Sequence, residues 1–246
     1  MKQTLTIILL MLSFLSLCVC GGIIYLDYRE QAAADVAAEE TSNMKPALPE
    51  PQEGSPDLPI MDFTELKAGN PDVVAWLTLP DTKIDYPVVQ GEDNAYYLNH
   101  DAKKRPNKNG AIFLDYRAHA DFSDFNSVIH GHHMKSGAMF QNLVKFKEKA
   151  FWDSHPSAIL YTPECTYSLD IIAVAVVRHD SPLFQYAFAS PAEKTAHLDE
   201  IRGSAKFYRD VGITGDDRIV TLSTCSYEFK NARTMVIAKI TCSNIL

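Results

Sequence analysis

The sequence predicts a mainly β domain, a closed barrel or a sandwich, carried behind an apolar N-terminal helix. Three observations lead there. Short strand-like runs alternate with turn residues from about residue 73 onward. Only one long helical pattern interrupts them, after Ser190. And residues 4–26, TLTIILLMLSFLSLCVCGGIIYL, carry no charge at all.

A helix needs roughly 20 apolar residues to cross the hydrocarbon core. A cleavable signal peptide has an apolar region of only about 7–15 residues, although Ala32-Ala33-Ala34 would suit a cleavage site. The expectation is an uncleaved, single-pass signal anchor over residues 1–29. Lys2 is the one basic residue before the span, which favours a cytoplasmic N-terminus and an exported body at the cell membrane. Cys18 and Cys20 lie near small residues, as a lipidated cysteine would. Leu17 and Val19 precede them where a small residue is usual, so both read as apolar residues of the span.

Residues 30–59, EQAAADVAAEETSNMKPALPEPQEGSPDLP, hold too few large apolar residues to form a core. They read as a linker, helix-prone at first and extended where proline is dense, that holds the body off the membrane. The body spans residues 60–246 and opens with a short helix around Phe63 and Leu66, broken at Asn70-Pro71. The strand-like runs follow: VVAWLTL, KIDYPVV, AIFLD, SVIH, AILY, SLDIIAVAVV, RIVTLST and TMVIAKI. Pro80-Asp81, Asn109-Gly110 and Gly215-Asp216 punctuate them. In the one clear helix, Ser190 caps, Pro191 suits the first turn and Glu193 completes a capping box. Leu198, Ile201, Ala205 and Tyr208 continue at helical spacing toward a stop at Gly212.

A net charge of -8 argues against nucleic acid as the main partner, because phosphate binding needs clustered Lys and Arg. Outside the span the cysteines are Cys165, Cys225 and Cys242. Three leave at least one free thiol, and a free thiol in an exported domain invites oxidation unless chemistry requires it. Spacing alone does not say whether Cys165 and Cys242 pair.

Cys225 ends the run Ile219–Thr224, where a rigid strand presents a side chain to a cleft. His130, His132 and His133 cluster after another strand-like run. A His-x-His pair is a familiar set of metal ligands, yet no Cys-x-x-Cys or Glu-containing zinc motif accompanies it. A histidine serving a thiol distant in sequence is the sharper reading. Arg233 lies eight positions beyond Cys225 and opens the next run, so a hairpin sets both at one end. There an arginine can donate to a developing oxyanion.

Taken together, Gly131-His132, Thr221-Leu222-Ser223-Thr224-Cys225 and Arg233 resemble the His, TLxTC and Arg motifs of sortases. Residues Asn70–Asp101 and the helix after Ser190 are similar to features of class B. His130 departs from the aromatic that class B members often carry there, and Ser226 from an acid found after the cysteine in some. The resemblance implies a mixed, mainly antiparallel barrel of about eight strands with peripheral helices, one of them inserted before the cysteine strand.

It also implies roles: His132 as the catalytic histidine, Cys225 as the nucleophile, and Arg233 as the residue that orients substrate and stabilises the oxyanion. Asn94, Leu98 and Ser223 match positions near the substrate groove, and Asp115 reads as structural. No cofactor and no metal is implied. The expected reaction joins a surface protein bearing a C-terminal sorting signal, of the Asn-Pro-x-Thr kind, to the amine of a peptidoglycan precursor. Without shifted pKa values, thiolate and imidazolium coexist in few molecules near neutral pH, so a slow enzyme is expected. Two other functions fit the residues: a cysteine endopeptidase that hydrolyses, and a non-catalytic surface module binding metal through His130 and His132.

Overall fold

The computed structural model describes residues 2–49 and 58–243. Along the chain lie α1 (Lys2–Ser42), α2 (Thr64–Gly69), β1 (Val73–Thr78), β2 (Asp85–Val89), β3 (Ile112–Leu114) and β4 (Asn126–His130). Then come α3 (Lys149–Ser154), β5 (Ser157–Tyr161), β6 (Thr166–Arg178), α4 (Pro191–Ser204), β7 (Ala205–Tyr208), β8 (Arg218–Cys225) and β9 (Ala232–Cys242).

β6 is long enough to serve three neighbours, and that closes the sheet. It pairs with β9 on one edge; on the other it pairs with β5 at its start and β7 further along. The order β5-β1-β2-β3-β4-β8-β9-β6 thus returns to β5 as an eight-stranded barrel, with β7 outside the ring. β2–β3 and β4–β8 are parallel and the other pairs antiparallel, as the mixed-barrel expectation had it.

Alternation decides what each strand side does. On β8, Val220 and Leu222 join the cluster that fills the barrel, with Leu77, Ile129, Leu169 and Val236. Ile219 faces outward into a second cluster beneath α4, with Leu198, Ile201, Met235 and Ile237. A third cluster lies over α2, around Leu66, Trp76 and Tyr97. Phe140, Leu143 and Phe146, on a 3-10 turn spanning Phe140–Lys147, and Trp152 of α3 pack onto the barrel cluster.

The helix after Ser190 forms with its cap: Ser190 Oγ accepts from Glu193 N at 3.3 Å. It stops at Ser204, however. Ala205 and Tyr208, expected to extend it, belong to β7, whose Ala205, Phe207 and Tyr208 pair with Ala175, Val174 and Ala173 of β6. Four residues suit a last helical turn as well as an edge strand, and the free edge of β6 decides between them. Cys165 and Cys242 form a disulfide across a 77-residue separation. A constraint of that length typically stabilises by about 2–4 kcal/mol.

The segment expected as a linker is helical at its start, as its composition suggested, but that helix packs on the body. Residues 30–42 are the last turns of α1, unbroken from the apolar stretch. Ala34, Ala38 and Thr41 are buried against the body. Alanine favours helix, and its small side chain lets the helix approach closely. Pro51 and Pro56, two of that segment's five prolines, fall in residues 50–57, outside the described residues.

Candidate active site at the ends of β4 and β8

Cys225, the last residue of β8, lies directly opposite Arg233 in the antiparallel ladder with β9. Cross-strand partners project from the same sheet face. By alternation that is the outer face shared with Ile219, Thr221 and Ser223. Both are partly exposed. Arg233 Nη1 donates to the Ala232 carbonyl at 3.0 Å. Among the described residues no carboxylate forms an ion pair with it.

β4 runs parallel to β8 and brings the histidines to the same end, with His130 in register with Ser223. The ladder continues one step past the strand: Gly131 N donates to the Ser223 carbonyl at 3.1 Å, and Thr224 Oγ1 donates to the Gly131 carbonyl at 2.8 Å. A glycine is needed here for space. A Cβ on Gly131 would lie 2.5 Å from Ile112 Cδ1 and 2.7 Å from Phe140 Cδ2. The close packing therefore sets where His132 leaves the strand.

The three histidine rings diverge. His132 Nε2 is 2.8 Å from the Leu98 carbonyl. A carbonyl only accepts, so Nε2 holds a proton and Nδ1 is left to exchange one. His133 Nδ1 donates to the Cys225 carbonyl at 3.0 Å, and its ring packs 5.2 Å from that of Tyr227. His130 Nε2 is 3.4 Å from Asp115 Oδ2. Among the described residues no group of three His, Cys, Asp or Glu side chains converges on a point where a metal would sit.

Asp115 is buried and densely bonded. Arg117 donates from Nε and Nη2 at 2.8 and 2.7 Å, and Asn94 Nδ2 donates at 2.9 Å. Burial pushes its carboxyl up. The bonds from Arg117, His130 and Asn94 outweigh that and hold it far below the usual carboxylate range. Arg117 in turn lies 4.0 Å over the Tyr186 ring, linking this network to the segment that leads into α4. Asn126 ties that segment down from below: Nδ2 donates to the Gln185 carbonyl, and Oδ1 accepts from Thr221.

Cys225, Arg233 and Ser223 thus share one end of the β4–β8–β9 sheet, and His132 leaves β4 at that end. Ser223 is buried. Leu98 is exposed and reaches His132 through its backbone carbonyl rather than its side chain. Asn94 sits further back, bracing Asp115 and accepting from Tyr116 N at 3.0 Å. His133, whose ring bonds the cysteine's own carbonyl, was marked in the sequence only by its place beside His132, and the Arg117–Tyr186 stack carried no signal there.

A family model described as the sortase domain matches residues 77–241. Sortase B of Listeria monocytogenes is 35% identical over 181 residues, covering 73% of this chain and 74% of its own. A Staphylococcus aureus sortase B–substrate complex superposes with a TM-score of 0.70 at 30% identity, covering 74% of this chain and 85% of that one. A Bacillus anthracis structure described as similar to sortase B gives a TM-score of 0.73 at 31% identity, covering 88% and 98%.

Proposed function

This chain belongs to the sortase family, and from that membership we propose that it is a class B-type, membrane-anchored cysteine transpeptidase using Cys225, His132 and Arg233. The observation that carries the proposal is the pairing of Cys225 with Arg233 at the strand end that His132 also borders.

The Cys225 thiolate attacks the carbonyl of the threonine in a C-terminal sorting signal. The tetrahedral oxyanion takes hydrogen bonds from Arg233, whose guanidinium is held in the ladder position by a bond to the Ala232 carbonyl. The C–N bond breaks as His132, protonated on both ring nitrogens, gives its Nδ1 proton to the departing amine while the Leu98 carbonyl keeps Nε2–H in place. A thioester on Cys225 remains. An amine of a peptidoglycan precursor attacks it, His132 takes the amine's proton, and the thiolate is released with a new amide bond. Asn94, Leu98 and Ser223 border the substrate path, Asn94 through the turn it braces. An Asn-Pro-x-Thr signal is the class B expectation for this groove.

Residues 4–26 anchor the enzyme, with the catalytic body on the extracytoplasmic side. Its apolar helix is exposed along Leu10–Leu26 and has a mean hydropathy of 1.9 over its most apolar window. The reading is tested by acylating the purified protein with sorting-signal peptides and adding triglycine. Discharge of the thioester by the amine faster than by water supports a transferase; equal rates with and without amine leave the hydrolytic endopeptidase.

A further inference from the structure

We infer that the extramembrane half of α1 is not a spacer but a strut, fixing the height and orientation of the active site above the bilayer. The inference rests on residues 4–26 spanning the membrane and on the transpeptidase reading above.

α1 leaves the apolar stretch at Asp27 without a break. From there one face follows the body for the rest of its length. Lys108 Nζ lies 3.1 Å from Asp27 Oδ1, at the end of the span. Higher up, Asn109 Nδ2 and Ser136 Oγ both donate to Asp35 Oδ1, at 3.0 and 2.8 Å. Ala34, Ala38 and Thr41 are buried between these contacts and Ser42, whose Oγ donates to the Asp85 carbonyl at 2.8 Å. Arg105 pairs with Glu40 near the top. Exposed ion pairs contribute little singly. Here they flank three buried helix residues, Ala34, Ala38 and Thr41, and together these contacts favour one register.

The two body segments held in this way are those that hold His132. Residues 107–109 continue from Leu98, whose carbonyl receives His132 Nε2, and Asn107 N bonds the Asn99 carbonyl. Ser136 belongs to the loop that begins at His132 itself. Asp35 lies eight residues above Asp27, about 12 Å along a helix. With the helix upright, the catalytic loop stands at about that height over the edge of the hydrocarbon core, just above the headgroups. The B. anthracis structure aligns with 88% of this chain, more than residues 58–243 supply, so its match extends into the strut segment.

A fixed height matters only to substrates that are themselves tied to the membrane. For these it sets the effective concentration of the scissile bond at Cys225, whereas a soluble peptide reaches the site from any direction.

The test uses the full chain in liposomes, with Asn-Pro-x-Thr peptides offered either free or attached to a lipid by a short linker. One variant inserts roughly eight Gly and Ser residues between Leu26 and Asp27, lifting the body with its docking intact. A second, Asp35→Arg with Ala38→Glu, breaks the docking. The strut predicts that the insertion leaves free-peptide acylation within about twofold of the unaltered chain, and that in both variants the ratio of tethered to free rate falls at least about fivefold. The free-peptide rate also reports folding. Tethered and free rates that stay in proportion in both variants overturn the strut. A chain that does not float with the liposomes removes the span and the strut with it. An unaltered chain that acylates with neither peptide removes the transpeptidase reading instead.

Discussion

Cys225 and Arg233 are paired residues of one antiparallel ladder, so backbone hydrogen bonds rather than a loop hold the two residues opposite each other. A donor based there is close at hand as charge develops. Arg233→Ala should therefore lower the acylation rate by about 10²–10³-fold while leaving alkylation of Cys225 by a small thiol reagent nearly unchanged. Arg233→Lys should recover only part of the loss, because an ammonium presents no planar fork. Stopped-flow acylation beside a thiol-labelling assay separates the two effects.

Gly131 should tolerate no side chain. The Cβ of Gly131→Ala meets Ile112 and Phe140, both buried in the barrel cluster. Overpacking of this kind costs about 1–3 kcal/mol. The strain falls one residue before His132, so the acylation rate should drop by at least about tenfold with the fold retained. Circular dichroism melting and peptide acylation check both halves.

Asp115 should matter for stability more than for chemistry, since its carboxylate reaches His130 and not His132. Asp115→Asn leaves Arg117 without its charged partner and should cost about 2–3 kcal/mol, at the lower end for a buried pair because Arg117 is partly exposed. Acylation of the folded variant should stay within about tenfold. The depressed carboxyl stabilises the fold above the usual carboxylate range. That contribution is lost progressively as pH falls from the ordinary carboxylate range toward the far lower folded value. Urea titration at neutral pH measures the difference.

His197 should make the fold sensitive to mild acid. It is buried on α4, its Nε2 has no hydrogen-bond partner, and burial lowers its pKa to about 4, with Glu200 pulling weakly the other way. The unfolded chain takes up a proton near the ordinary histidine value while the folded chain does not. Stability from this group is therefore full above about 6.5 and falls as pH drops toward about 4. Melting temperatures between pH 7.5 and 4.5 should fall, and His197→Leu should flatten the part of that slope lying between those two values.

Most of the barrel was legible because strands such as Arg218–Cys225 alternate between two apolar clusters and end at clear turns. The eight-residue step from Cys225 to Arg233 gave the hairpin. β7 was not legible: Ala205 and Tyr208 satisfy a helical period, and only the unpaired stretch of β6 makes them a strand. The bond from Asp115 to His130, and the Cys165–Cys242 disulfide, join residues whose proximity is a product of barrel closure. The docking of α1 was hidden for a related reason. An Ala- and Glu-rich segment reads as solvated until a partner face appears, and that face is assembled from residues 105–109 and 136.

The most direct measurement is the intact mass of the full chain after incubation with a panel of sorting-signal peptides, with Cys225→Ala and His132→Ala alongside. The account predicts a mass gain equal to the acyl fragment on the unaltered protein, none on Cys225→Ala, and discharge when triglycine is added. A folded, reduced protein that gains no mass with any peptide, or an adduct that persists in Cys225→Ala, would contradict it.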